Sequence, residues 1–176
     1  MLSSQVINSY LYAESCEDVN QQQLLADDNG SFGHNGGNNY QGIQFATASA
    51  LGVGAKLVSF TAWLKLGVWD SGITALATSR LYDSSGVLKE ESYDSVNPNT
   101  ELNASTYTEK TLNFSGNVVI AENDKVVFYI DSGTSGHYIH AQFYNSDVYD
   151  GVNTVNWRNS AGYSGEDFTF KLTYCE

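Results

Sequence analysis

Most of the chain after residue 41 alternates apolar and polar residues with a period of two, which is the pattern of β-strands that bury one face. The pattern is clearest between Leu112 and Asn145, where a turn is expected at 132–136. The apolar side chains that share one face on the two sides of this turn are Val126, Phe128, Ile130, Ile139, Ala141 and Phe143. No helical period fits this stretch, so it predicts the central strands of a β-sheet protein.

The segment Lys56 to Leu66 predicts a second central strand. Its inward face is expected to carry Val58, Phe60, Ala62, Leu64 and Leu66. Trp63 falls on the opposite face, away from the core unless a loop covers it. With the strands predicted at 73–82, 107–114 and 167–174, the expected core consists of Phe60, Leu64, Leu81, Phe114, Phe128, Ile139, Phe143 and Phe170.

Turn-forming residues separate the predicted strands. Asp83-Ser84-Ser85-Gly86 predicts a hairpin, and Asn123-Asp124 and Asp131-Ser132-Gly133 mark two further turns. These residue types tolerate a left-handed backbone or bond their own main chain. About ten strands follow one another at intervals of roughly 8–15 residues, which predicts an all-β fold, a jelly-roll or Greek-key β-sandwich.

A chain of 176 residues is long enough for one such domain. We expect the sandwich to occupy residues 41–176 and an N-terminal strand with a polar segment to occupy residues 1–40. Gln5–Ala13 is rich in strand-forming residues, whereas 15–39 predicts a Gly/Asn-rich loop. The N-terminal strand either pairs with a neighbouring subunit or docks onto its own sheet, and the sequence leaves both alternatives open.

The charge balance excludes two classes of partner. Lys and Arg total 8 against 20 Asp and Glu, a formal net charge of −12, so nucleic acid and anionic membrane surfaces are repelled. No apolar run approaches the roughly 18 residues of a membrane span. The first 15 residues lack the basic and apolar regions of a signal peptide, so we expect either a leader already removed or release by cell lysis, as for a virion.

The two cysteines, Cys16 and Cys175, lie near opposite ends of the chain. A sandwich often pairs its first and last strands, so these residues are candidates for a disulfide that closes nearly the whole chain. Two separate thiols are the alternative, because a reducing assembly site would leave them unpaired. Their wide spacing excludes a zinc ribbon and a CxxC redox pair.

From Gly42 onward the order of motifs resembles a family of jelly-roll modules found in phage structural proteins and in surface-anchored microbial proteins. The family is distantly similar to carbohydrate-binding sandwiches. The matching motifs are Gly42-Ile43-Gln44-Phe45, Leu57-Val58-Ser59-Phe60, Trp63-Leu64-Lys65, Arg80-Leu81-Tyr82-Asp83-Ser84-Ser85-Gly86, Asn113-Phe114-Ser115-Gly116, Asn123-Asp124-Lys125-Val126-Val127, Tyr138-Ile139-His140 and Asp167-Phe168-Thr169-Phe170-Lys171. The resemblance implies the fold more firmly than a role.

The sequence contains no recognisable catalytic constellation, so we expect a protein that is not an enzyme and name no catalytic residue. Its histidines are His34, His137 and His140. His137 and His140 are three apart in a predicted strand, which places them on opposite faces and makes them poor partners for one metal.

A structural calcium ion is the cofactor for which the sequence offers candidate ligands. Calcium takes oxygen ligands, and Asp27-Asp28-Asn29-Gly30 supplies carboxylates and an amide in a turn. Similar carbohydrate-binding sandwiches hold calcium between an early loop and an acidic residue that opens the last strand. That resemblance implies a site of Asp27 or Asp28 with Asp167, and an acidic turn holding sodium or water is the alternative.

Aromatic side chains in loops are candidates for ligand contacts. An exposed ring can stack on a sugar or anchor a protein contact, and our candidates are Trp69, Tyr149 and Tyr163. The alternative is that these rings pack over the ends of the sandwich. Together these observations predict a non-enzymatic structural module, a subunit or decoration of a virion or an extracellular or cell-surface assembly, which binds itself or other structural subunits. A carbohydrate-binding or adhesin module, with glycan partners, is the alternative function.

Overall fold

The computed structural model describes residues 16–21, 28–33, 39–50, 52–144, 154–158, 161–163 and 167–176. Within these residues the chain forms thirteen strands and one helical turn, α1 (Pro98–Glu101). The strands are β1 (Cys16–Gln21), β2 (Asp28–Gly33), β3 (Tyr40–Phe45), β4 (Lys56–Leu66), β5 (Thr78–Tyr82), β6 (Leu88–Glu91), β7 (Thr108–Asn113), β8 (Lys125–Tyr129), β9 (Tyr138–Tyr144), β10 (Thr154–Arg158), β11 (Ala161–Tyr163), β12 (Asp167–Phe168) and β13 (Phe170–Cys175). The predicted all-β class is confirmed.

The strands form two antiparallel sheets, which make up the predicted sandwich. The first sheet has seven strands in the order β1-β13-β4-β9-β12, with β2 paired to β9 and β7 paired to β4. The second has six strands in the order β11-β10-β3-β8-β5-β6. Neighbouring strands are mostly distant in sequence, as in Greek-key and jelly-roll folds.

The core lies between the sheets and contains all eight residues of the core set expected from the sequence. Phe60, Leu64, Leu81, Phe128, Ile139 and Phe170 are 0% exposed, and Phe114 and Phe143 are nearly so. These residues belong to one continuous apolar cluster. The period-two pattern therefore predicted correctly which face of these strands is buried.

Val58 is the exception on β4. The register between β13 and β4 shifts between Thr173 and Tyr174, so Ser59 faces Thr173, Leu57 faces Tyr174, and Val58 has no partner on β13. This β-bulge reverses the facing of the strand below it. Leu57 is therefore fully buried, whereas Val58, predicted as core, is only partly buried.

The predicted loop over 15–39 was wrong for two segments. β1 pairs with β13 over its whole length, and β2 pairs with β9. Their sequences, CEDVNQ and DNGSFG, lack apolar alternation, and the fully buried Phe32 anchors β2 in the core. Residues 16–21 and 28–33 thus contribute to the sandwich together with the described part of the predicted 41–176, while Gln5–Ala13 lies outside the described residues.

The hairpin predicted at 83–86 joins β5 and β6. The Asp83 carboxylate accepts hydrogen bonds from the main-chain N–H groups of Ser85 and Val87, each at 2.8 Å. Gly86 has φ of 84°, a left-handed conformation that glycine adopts without strain. The side chain of Asp83 and the glycine together fix the hairpin.

We predict that Phe128→Ala lowers the free energy of unfolding by about 3–5 kcal/mol, because it empties a fully buried position between the sheets. Urea unfolding measures the change. Tyr93→Ala is the control, since the Tyr93 side chain is 75% exposed, and should cost less than about 0.5 kcal/mol. A loss below about 1 kcal/mol for Phe128→Ala would contradict the assigned packing.

Candidate functional site

A disulfide bond between Cys16 and Cys175 joins the first described strand to the last. The two residues are directly opposite each other in the pairing of β1 with β13, and they are 159 positions apart in the chain. In the chain-entropy model, a link that closes so long a loop stabilises the fold by roughly 4–5 kcal/mol. The Tyr174 hydroxyl adds a hydrogen bond to the carboxylate of Glu17, at 3.2 Å.

The residues proposed for calcium lie on strands that flank β9. Asp28 on β2 is opposite Phe143, and Asp167 on β12 is opposite Tyr144. The backbone thus places the two aspartates on either side of β9, opposite consecutive residues of that strand. Asp27 and the side chains of Asp28 and Asp167 lie outside the described residues. Among the described side chains no three His, Cys, Asp or Glu residues form a cluster that could hold a metal, and calcium stays a prediction.

We predict that millimolar calcium raises the melting temperature relative to EDTA, because an ion that binds only the folded chain stabilises it by mass action. Thermal unfolding in the two buffers measures the shift. Asp167→Asn should reduce the shift, and magnesium serves as the control for ionic strength. An equal melting temperature in EDTA and calcium would remove the site.

Trp69, the first aromatic candidate, packs against the core rather than standing free. It is partly buried and contacts the apolar cluster, and its indole N–H is buried without a partner in the described part of the chain. This geometry agrees with the alternative that the loop rings close the ends of the sandwich. Tyr149 and the side chain of Tyr163 lie outside the described residues, and a glycan-binding role for the three stays a prediction.

On the outer face of the first sheet, the described side chains of β4 contact side chains of the neighbouring strands. Trp63 points outward as predicted, yet only 9% of it is exposed, and the Lys171 ammonium lies 5.3 Å from its ring centre. Lys171 also pairs with Glu109 at 2.5 Å. Hydroxyl pairs continue the covered surface along β4, between Ser59 and Thr173 at 3.0 Å and between Thr61 and Thr111 at 2.7 Å. These outward side chains of β4 thus have their partners within the same sheet.

His140 lies between two polar neighbours on the same face. Ser31 on β2 and Lys65 on β4 are its direct partners in the register, and the Ser31 hydroxyl is 3.1 Å from Nδ1 of His140. Burial and, to a lesser extent, the charge of Lys65 lower the pKa of His140 below its ordinary value. His137 precedes β9 and His34 lies outside the described residues, so the described side chains form no histidine pair.

We predict that the folded protein loses stability as the pH falls from about 7 toward 5, partly through His140. Its folded pKa is below the unfolded value of about 6.5, so the unfolded chain binds a proton that the folded chain rejects. Melting temperatures of the native chain and of His140→Gln across this range measure the effect. The variant should lose less stability, and Lys65→Met should also flatten the dependence. Parallel curves for native protein and His140→Gln would contradict the assignment.

No family model matches the chain, and no curated protein sequence matches it. No helix in the described residues is long and apolar enough to cross a membrane. The function must therefore be inferred from the surfaces and edges of this chain itself.

Proposed function

We propose that this chain is a non-enzymatic structural module, a subunit or decoration protein of a virion or of an extracellular assembly. The observation that carries this proposal is the disulfide between β1 and β13. Structural disulfides persist where the medium is oxidising, outside the cytosol. A sandwich whose edge strand is covalently fixed is suited to a role that requires stability rather than movement.

The two sheets differ in how their edges are protected, and this difference supports assembly through the first sheet. β6 forms one edge of the second sheet, where its register with β5 shifts between Leu81 and Tyr82. Lys89 on β6 pairs with the buried Asp124 at 2.6 Å, and Glu90 accepts a hydrogen bond from the Ser115 N–H at 2.7 Å. Bulges and bonded charges of this kind are devices that keep edge strands from pairing with other chains.

The edge at β1 lacks the register shift of the β6 edge, because β1 pairs with β13 in regular register; Cys16 and Glu17 are the β1 residues whose side chains the structure describes, and Glu17 accepts a hydrogen bond from Tyr174. β1 pairs with β13 there, and it ends the strand order of the first sheet. Because antiparallel edges present unpaired main-chain groups, a strand from another molecule can add to this edge. The disulfide holds β1 in place while it accepts such a partner.

The segment Gln5–Ala13 is the part of the chain that we propose to pair with a neighbouring subunit. Glu14 and Ser15 alone separate it from β1, and neither is a residue that a two-residue hairpin favours. Cys16 is opposite Cys175, the last residue of β13, so a strand continuing β1 toward lower numbers would run past the end of β13. Both facts favour exchange between subunits over docking on its own sheet.

We predict that deletion of residues 1–14 abolishes assembly and preserves the melting temperature of the monomer, because the deletion leaves the disulfide and the described sandwich intact. Electron microscopy of the native material should show ordered polymers or particles. Light scattering after size-exclusion chromatography then compares the native chain with the deletion variant.

A double substitution, Ile7→Asp with Leu11→Asp, is the matched control at full length and should weaken assembly as the deletion does. Loss of monomer stability on deletion would show that the segment belongs to its own core. Monodisperse native protein at all concentrations, with no polymers in the microscope, would overturn the structural role.

A carbohydrate-binding or adhesin role is the second candidate function. It is compatible with the first, because a module of a virion or cell-surface assembly can also bind glycans. One observation favours it, a group of tyrosines on the outer face of the second sheet, which is distinct from the edge proposed for assembly.

A further inference from the structure

Three strands of the second sheet, β3, β8 and β5, place a group of large polar and aromatic side chains on its outer face. Tyr40, Tyr129 and Thr78 form one row across these strands. Gly42, Val127 and Arg80 form the next row, and Gln44, Lys125 and Tyr82 form the third. Since Val126 and Phe128 belong to the core, the alternate positions on β8 face outward.

Val127 shows that these side chains cover the middle of the face. It is 0% exposed although it does not belong to the core cluster between the sheets. Tyr40 and Tyr82 come from the strands on either side of β8, two positions above and below Val127, yet their ring centres are only 6.4 Å apart. The two rings therefore lean toward each other over Val127. We call Tyr40, Tyr82, Tyr129 and Arg80 the tyrosine platform.

Gly42 makes this packing possible. A Cβ atom at this position would lie 2.1 Å from the carbonyl oxygen of Val126 and 2.5 Å from Cα of Val127, so β3 and β8 approach each other more closely than a side chain would allow. The row of Val127 consequently has no side chain on its β3 side. Because Gly42 has no side chain, no β3 side chain stands between the Tyr40 and Tyr82 rings in the row of Val127.

Arg80 is fixed at the centre of the platform by contacts with three neighbouring side chains. Its guanidinium carbon lies 3.5 Å from the ring centre of Tyr129, its Nε–H donates to Glu91 at 3.0 Å, and Nη1 donates to the Tyr82 hydroxyl at 3.4 Å. A guanidinium has five N–H donors, so most of them find no acceptor in the described part of the chain. The side chain is 23% exposed, and all three tyrosines are partly exposed.

We propose that the tyrosine platform binds a neutral glycan. Flat aromatic rings fit the C–H face of a sugar, and the nearby guanidinium and phenol groups supply hydrogen bonds for its hydroxyls. The positive charge of Arg80 is already balanced by Glu91, and the chain carries a net charge of −12. The negative net charge repels an anionic ligand, and it also disfavours a face-to-face contact with a second copy of the chain. A neutral sugar meets no such repulsion.

The test uses the full chain and a panel of neutral polysaccharides: hydroxyethylcellulose, xyloglucan, galactomannan, yeast mannan and a mixed-linkage β-glucan. Affinity electrophoresis identifies a ligand, and calorimetry with its oligosaccharide gives Kd. Tyr40→Leu with Tyr82→Leu removes two of the three platform rings, leaving Tyr129 against the Arg80 guanidinium, while keeping an apolar cover over Val127. This variant should weaken binding by about tenfold or more. Tyr93→Leu, at an exposed tyrosine outside the platform, should leave Kd unchanged.

Three results would overturn the proposal. They are failure of every polysaccharide to retard the protein, unchanged affinity of the double leucine variant, and a concentration-dependent dimer in sedimentation that the same variant abolishes. If the double variant melts early, Arg80→Gln decides instead, because it keeps all three rings and should still weaken binding severalfold. None of these measurements involves residues 1–15, so failure here and failure of assembly are distinguishable.

Discussion

Phe60 contacts phenylalanine rings from both sheets, and the rest of the sandwich is arranged around this contact. Its ring centre lies 5.7 Å from that of Phe128 in the second sheet, 6.0 Å from Phe168 and 5.9 Å from Phe170. Phe168 belongs to β12, which pairs with β9, whereas Phe170 belongs to β13, which pairs with β4. One buried ring thus connects the sheets and also fixes the point where β4 changes its neighbour from β13 to β9.

The outer faces of the two sheets differ in the contacts that their side chains make. On the first sheet, Trp63 is nearly buried with the Lys171 ammonium beside its ring, and the hydroxyl groups of β4 bond to those of the strands beside it. On the second sheet, the tyrosine rings are partly exposed, and most N–H donors of Arg80 find no acceptor among the described residues. A surface that satisfies its own polar groups is inert, whereas one that keeps donors beside exposed rings can bind.

Sequence pattern predicted the facing of the central strands because one buried face imposes strict alternation, as at Phe60, Phe128 and Phe170. It failed at Val58, since a bulge shifts the register without any mark in local composition. It also missed β1 and β2, whose sequences lack the apolar alternation of a strand with one buried face, although Phe32 on β2 belongs to the core.

The tyrosine platform was equally hidden from sequence. Tyr40, Tyr82 and Tyr129 are far apart in the chain, and only the order of β3, β8 and β5 in the sheet brings them together. Spacing along a chain does not determine which strands become neighbours in a Greek-key fold. The candidates chosen from sequence were loop aromatics, and Trp69 among them packs against the core.

The bond between Cys16 and Cys175 has a mechanical consequence. If the chain is pulled on the two sides of these residues, tension passes from one cysteine to the other through the sulfur atoms. The 158 residues between them lie in a closed loop outside that path, so their hydrogen bonds carry no tension. Such a module behaves as a short, inextensible link under load, and the faces of its two sheets keep their shape while the chain is pulled.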